Sequence, residues 1–149
     1  MVIGDTKKSF IDSLEKVIEI VSKMGMRIEE FKKGFVKVRL PKEPNVNHIG
    51  IVYAGSLFSL ADFAGGVLFT SCFDLKKYYP ILKEVTIVFK RPATTDVTVE
   101  SSLAPGEIET LKKMTDEAGK TDRLIDFELK DEMENVCCVV RGNFQLRKA

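Results

Sequence analysis

Asp62 and Asn47 are the residues of this chain whose types, setting and spacing suggest chemistry. Asp62 is the single charge in a 25-residue run, Ile49 to Phe73. Apolar surroundings raise a carboxyl pKa and make the carboxylate a better base. On a helix, its same-face neighbours would be Phe58, Ser59, Gly65 and Gly66, with Gly55 and Phe69 two turns away. Adjacent glycines inside a helix cost about 1 kcal/mol each against alanine. That loss usually serves close approach of a backbone or ligand. The pattern predicts a carboxylate on a pocket wall; the alternative is a core aspartate satisfied by hydroxyls or backbone. Asn47 lies 15 residues earlier, with Gly50 and Gly55 between. A polar loop entering a buried helix leaves free N–H groups near Tyr53, Ala54 and Gly55. With the helix dipole, those donors suit a developing oxyanion. An amide side chain, free amides and a carboxylate in this order can serve hydrolysis of a carbonyl substrate. The alternative for Asn47 is a purely local role in its turn.

The elements that must position these residues follow from periodicity. Phe10, Ile11, Leu14, Val17, Ile18, Val21 and Met24 recur at helical spacing, so one helix of about four turns is expected. Ser9 with Asp12 resembles a capping box, and Gly25 suits the stop. "MRIEEF" and "FVKVRL" flank a "KKG" turn as two strands, and "PKEPNVNHIG" is a loop. The central helix is expected from about Val52 to Cys72, apolar nearly all round and therefore buried. In "ILKEVTIVFKRP", Val85, Ile87 and Phe89 alternate with Thr86, Val88 and Lys90 as a strand. Val97, Val99 and Leu103 share a face of the next strand. "APGEIETLKKMTDEAGK" reads as a short surface helix burying Ile108, Leu111 and Met114 and ending at Gly119. "RLIDFELKDE" and "NVCCVVRGNFQLR" are two strands joined through "KDEMEN". Val136, Cys138, Val140, Phe144 and Leu146 share one face of the last. Strands arranged around one very apolar helix imply an α+β domain, an antiparallel β-sheet wrapped on a long central helix.

Composition narrows the function classes. The 149 residues suit one domain, and a net charge of +1 gives no general bias toward nucleic acid or anionic membrane. A single histidine, His48, excludes a multi-histidine metal site, and no metal is expected. Cys72, Cys137 and Cys138 have no framework spacing and read as reduced, which fits a cytoplasmic protein. The first residues show no basic segment followed by an apolar core, so no signal peptide is expected. The Ile49–Phe73 run is long enough to span a bilayer, but Asp62 at its centre would cost about 3 kcal/mol, so no membrane span is expected.

"NHIGIVYAGSLFSLADFAGG" resembles the segment that opens the central helix of hotdog-fold thioesterases, which include PaaI-like acyl-CoA thioesterases and the C-terminal thioesterase domain of YiiD-type proteins. "VTIVFKRPATTDVTVES" is similar to the strand, proline turn and strand that follow there. The "P-x-E-x-E-x-L" helix, residues 105–111, resembles the YiiD-like branch. The likeness runs from about Ile28 to Leu146. It implies a single hotdog domain over residues 1–149, with residues 1–25 as an extra N-terminal helical extension. It also implies a homodimer joined edge to edge, or a dimer of two such dimers, with active sites at the dimer interface.

The function implied is hydrolysis of a small or medium acyl-CoA. Asp62 activates water, while Asn47 and the amide of Ala54, or second Gly55, hold the carbonyl oxygen. Tyr53, Phe58, Ser59, Phe69, Val85 and Thr86 are candidates for the substrate pocket, and Lys90 and Arg91 for the CoA phosphates. No cofactor is implied beyond coenzyme A within the substrate. The chain departs from the "HGG" of PaaI-like members, having Tyr53-Ala54-Gly55 there, and His48 does not take the missing position. Thr86 is the nearest hydroxyl to the one some members use. A non-catalytic acyl-CoA-binding or regulatory protein is the alternative these departures leave open.

Overall fold

A computed structural model describes residues 2–149. Among them, four helices and six strands follow the order α1 (Val2–Lys16), α2 (Glu19–Met24), β1 (Arg27–Lys32), β2 (Phe35–Leu40), α3 (Ala54–Cys72), β3 (Tyr78–Phe89), β4 (Val97–Ser102), α4 (Pro105–Ala118), β5 (Lys120–Lys130) and β6 (Val136–Lys148). The strands form one sheet, β1-β2-β4-β5-β6-β3, antiparallel throughout. α3 packs across β2 to β6 on the inner face of that sheet. Leu60, Ala64 and Leu68 are fully enclosed there, against Val36, Val38, Val97, Leu129, Val140 and their neighbours. α3 is long and apolar enough to cross a membrane, yet 56% of its apolar window is buried within the fold, as befits a core helix.

β3 owes its inner face to a bulge at Lys83, between Leu82 and Glu84. Tyr78 and Leu82 face inward before it, and Val85 and Ile87 after it, because one extra residue flips the alternation. The opposite register residues on β6 are Phe144, Gly142 and Val140, which continue the core.

Three local expectations are corrected. The first helix is two, because the chain bends at Val17 and Ile18, two adjacent β-branched residues of lower helix propensity. Ile18 is extended, at φ −109° and ψ 110°, and α2 restarts after it to stop at Gly25 in the left-handed region. Ser9 lies inside α1 rather than capping it, since the helix already begins at Val2. In α4, Thr115 is buried in place of Met114. Seven residues on from Ile108 return to within about 20° of its face, whereas six land about 120° away.

Candidate active site

The loop between β2 and α3 folds as a miniature hairpin. Tyr53 N–H donates to the Asn45 carbonyl at 2.8 Å, and Asn47 N–H donates to the Ile51 carbonyl at 2.8 Å. Val46 bridges Val52 between them. The Asn47 Oδ1 accepts from the N–H groups of Ile49 at 3.1 Å and Ile51 at 3.2 Å. The asparagine thus shapes its own turn, while its Nδ2 donates to no described residue. Val52 N–H donates to the Ala93 carbonyl at 2.9 Å, which ties this hairpin to the segment leaving β3.

α3 begins at Ala54 with Tyr53 as its N-cap. The Ser56 and Leu57 N–H groups are taken by the Tyr53 carbonyl and the Tyr53 N–H by Asn45, which leaves the Ala54 and Gly55 amides without a partner among the described residues. The Tyr53 ring folds back over Gly55, where a Cβ would collide with it. A side chain at that position would have to push the exposed Tyr53 ring aside.

One cleft of about 300 Å³ gathers these groups. Asn47 and Ala54 line it together with Lys90 and Arg91, and Ile51, Leu57, Phe89 and Pro92 supply apolar wall. Neither Lys90 nor Arg91 is within ion-pair distance of a described carboxylate, and the Arg91 charge acts at longer range on Asp131. Four of the residues singled out from the sequence thus meet in one place. Ile51, Leu57 and Pro92 were not singled out; nothing in their types marks them, and only the return of β3 beside the loop makes them neighbours.

Asp62 does not line that cleft. It lies eight residues along α3 from Ala54, about 12 Å at the helical rise. Ala54, Phe58 and Asp62 form an exposed stripe on the helix, flanked by half-buried Ser59 and Gly66. The Asp62 carboxyl has no hydrogen-bond or ion-pair partner among the described residues. Although its side chain reaches solvent, desolvation by the surrounding helix and sheet raises its pKa above the ordinary carboxylate value. The two central glycines divide their work. A Cβ on Gly65 would collide with the Phe144 ring, whereas one on Gly66 would meet nothing within 4 Å.

The other candidates are dispersed. Ser59 Oγ donates to the Gly55 carbonyl at 2.9 Å, on the flank of the stripe. Tyr53 and Phe58 are exposed beside it. Phe69 is fully buried against Phe73 and Phe144 and does not reach the stripe. Val85 packs against the core, and Thr86 is exposed on β3. A depression of about 290 Å³ on the outer face of the sheet is a different kind of place. Its lining of Lys37, Glu100, Glu128 and Lys130 is already joined in ion pairs, with no apolar wall to receive an acyl group.

Residues 8–147 match the family described as a domain of unknown function, DUF4442. Among solved structures, a Pseudomonas aeruginosa protein of unknown function, described as a probable thioesterase, is 38% identical, with a TM-score of 0.91 over 96% of each chain. A thioesterase from Haemophilus influenzae is 16% identical, with a TM-score of 0.72 over 93% of this chain and 90% of that one. A Chlorobaculum tepidum protein of unknown function is 16% identical, with a TM-score of 0.81 over 97% and 95%. The last two likenesses are of fold alone. No curated protein matches the chain by sequence.

Proposed function

The chain is a hotdog-fold protein belonging to the family described as a domain of unknown function, DUF4442, and we propose that it is a thioester hydrolase acting on acyl-CoA. The observation that carries this reading is the cleft that Asn47, Ala54, Lys90 and Arg91 line together. The donors suit a thioester oxygen and the cations suit the CoA phosphates. The description of the 38% identical relative as a probable thioesterase supports it.

In this reading Asp62 takes a proton from water, whose oxygen adds to the thioester carbonyl carbon. The oxyanion is held by the Ala54 N–H and the Asn47 Nδ2. The C–S bond then breaks, and the CoA thiolate leaves with the proton returned from Asp62, giving a carboxylic acid and free CoA thiol. A carboxylate, one water and a carbonyl carbon in line span roughly 6 Å. Asp62 and the Ala54 amide of the same chain stand about 12 Å apart along one helix. We therefore assign the working site to a homodimer, in which the Asp62 of one copy faces the Asn47 cleft of the other. The unpaired edge of β3, at the end of the sheet, and the exposed Tyr53, Phe58 and Phe89 supply the surface for that pairing.

The test is thiol release from short, long and aromatic acyl-CoAs by wild type and Asp62→Asn. The expected result is turnover of at least one substrate and a loss of about 100-fold or more in kcat in the variant. A wild type that is stabilised by acyl-CoA but releases no thiol would instead identify a binding protein.

A further inference from the structure

We propose that Asn45 is a positioning residue for this site, and that through it the N-terminal helix pair sets where Asn47 and the Ala54 amide stand. The inference rests on the reading of those two groups as the holders of the thioester oxygen. Asn45 is only 6% exposed. Its Nδ2 donates to the carbonyl of Met24 at 2.8 Å and to that of Pro41 at 2.9 Å. Met24 is the last residue of α2, and a carbonyl at a helix C-terminus has no donor from within its own helix. Two carbonyls far apart in sequence therefore converge on one amide. Among side chains of this size, asparagine can donate to both carbonyls, since serine has one hydrogen to give and ionised aspartate has none.

The main chain of the same residue reaches the other way. Its N–H donates to the Lys42 carbonyl at 2.7 Å, and its carbonyl receives the Tyr53 N–H, directly before Ala54. Asn45 is thus the base of the hairpin that carries Asn47 at its turn. α1 is fastened separately: the buried Glu15 carboxyl accepts the Ile28 N–H at 2.8 Å and pairs with Arg27 at 3.0 Å. The helical extension is in this way held to the sheet at one point and to the start of α3 at another.

The experiment reads hydrogen exchange at the Asn47 and Tyr53 amides, together with steady-state thiol release. It compares wild type, Asn45→Ala and Asn45→Ser, each alone and combined with Asn47→Ala. In Asn45→Ala those two amides exchange about tenfold faster or more, while amides of β5 and β6 keep their rates. Its kcat falls about tenfold with a smaller change in KM, and on Asn47→Ala it costs less than that full factor, the remaining loss acting through the Ala54 amide. Unchanged exchange at Tyr53 overturns the proposal, and so does a loss of kcat that multiplies fully onto Asn47→Ala. Should Asn45→Ala fail to fold, Asn45→Ser, which keeps one donor, carries the same readings with smaller effects. If wild type releases no thiol from any acyl-CoA, the hydrolase reading falls, and the exchange rates alone decide whether Asn45 holds the hairpin and the helix start.

Discussion

Asp62 links pH to both activity and stability. Its pKa is raised by desolvation, with no compensating partner among the described residues. As a base it works only when ionised, so kcat should fall toward acid with a midpoint above the usual carboxylate range, and Asp62→Asn should lack that limb. For folding the sign is opposite. In the window between the unfolded and the raised folded pKa, the unfolded chain binds fewer protons, so stability declines as pH rises through it. Asp62→Asn should therefore melt higher than wild type at neutral pH and lose that advantage in acid. Thermal melts of both proteins across this range check it; equal melting temperatures at neutral pH would count against a desolvated carboxylate. At the cleft, Lys90→Glu and Arg91→Glu should raise KM for acyl-CoA several-fold, an effect that added salt diminishes, with kcat changed less. Asp62 was legible in the sequence because one charge within 25 residues of weak polarity stands out. Asn45 was not, because nothing local separates it from Asn47.

The central helix carries a sharper test in its glycine pair. Gly65 lies under the Phe144 ring, which Phe69 and Phe127 enclose, so the ring cannot easily move aside. Gly65→Ala should destabilise the fold by about 1–3 kcal/mol despite its better helix propensity. Gly66 faces open space one turn on from Asp62. Gly66→Ala should therefore stabilise the helix by about 1 kcal/mol and still lower kcat/KM, because its methyl intrudes where substrate or the second copy must fit. Urea unfolding and thioester kinetics on both variants check the pair. The glycines were read from sequence as one feature making room beside Asp62. Helical geometry separates them by about 100°, enough to send one to the core and the other to the surface. The same geometry exchanged Met114 for Thr115 on α4, where Thr115 Oγ1 donates to Thr121 Oγ1 at 3.0 Å. Propensity also bears on the broken N-terminal helix: the apolar period continues through residues 17–21, but the adjacent β-branched Val17 and Ile18 interrupt the helix before Glu19 restarts it.

At the scale of the molecule, the prediction concerns assembly. If each site takes Asn47 from one copy and Asp62 from the other, mixed dimers of Asn47→Ala with Asp62→Asn contain one intact site and one doubly altered site. Co-refolding the two inactive variants in equal amounts should then restore about one quarter of wild-type activity, since half of the dimers are mixed and each has half its sites intact. No recovery, from variants that still form dimers, would place the whole site within one chain.

The order of residues was enough to establish the α+β class, the positions of the six strands and the core helix, and the prominence of Asp62 and Asn47. These are written in local periodicity, in glycine placement and in one charge set among apolar neighbours. The tertiary structure alone decided which of those groups meet. The bulge at Lys83 sets the inner face of β3, and the bond between Val52 and Ala93 ties the segment beyond that strand to the Asn47 hairpin. The rigid rise of α3 keeps Asp62 about two turns from the amide it was expected to serve. Asn45 joins α2 to the start of α3 by donating to the Met24 carbonyl and accepting the Tyr53 N–H. Each of these is a contact between segments remote along the chain, and no period or motif within either segment encodes its partner.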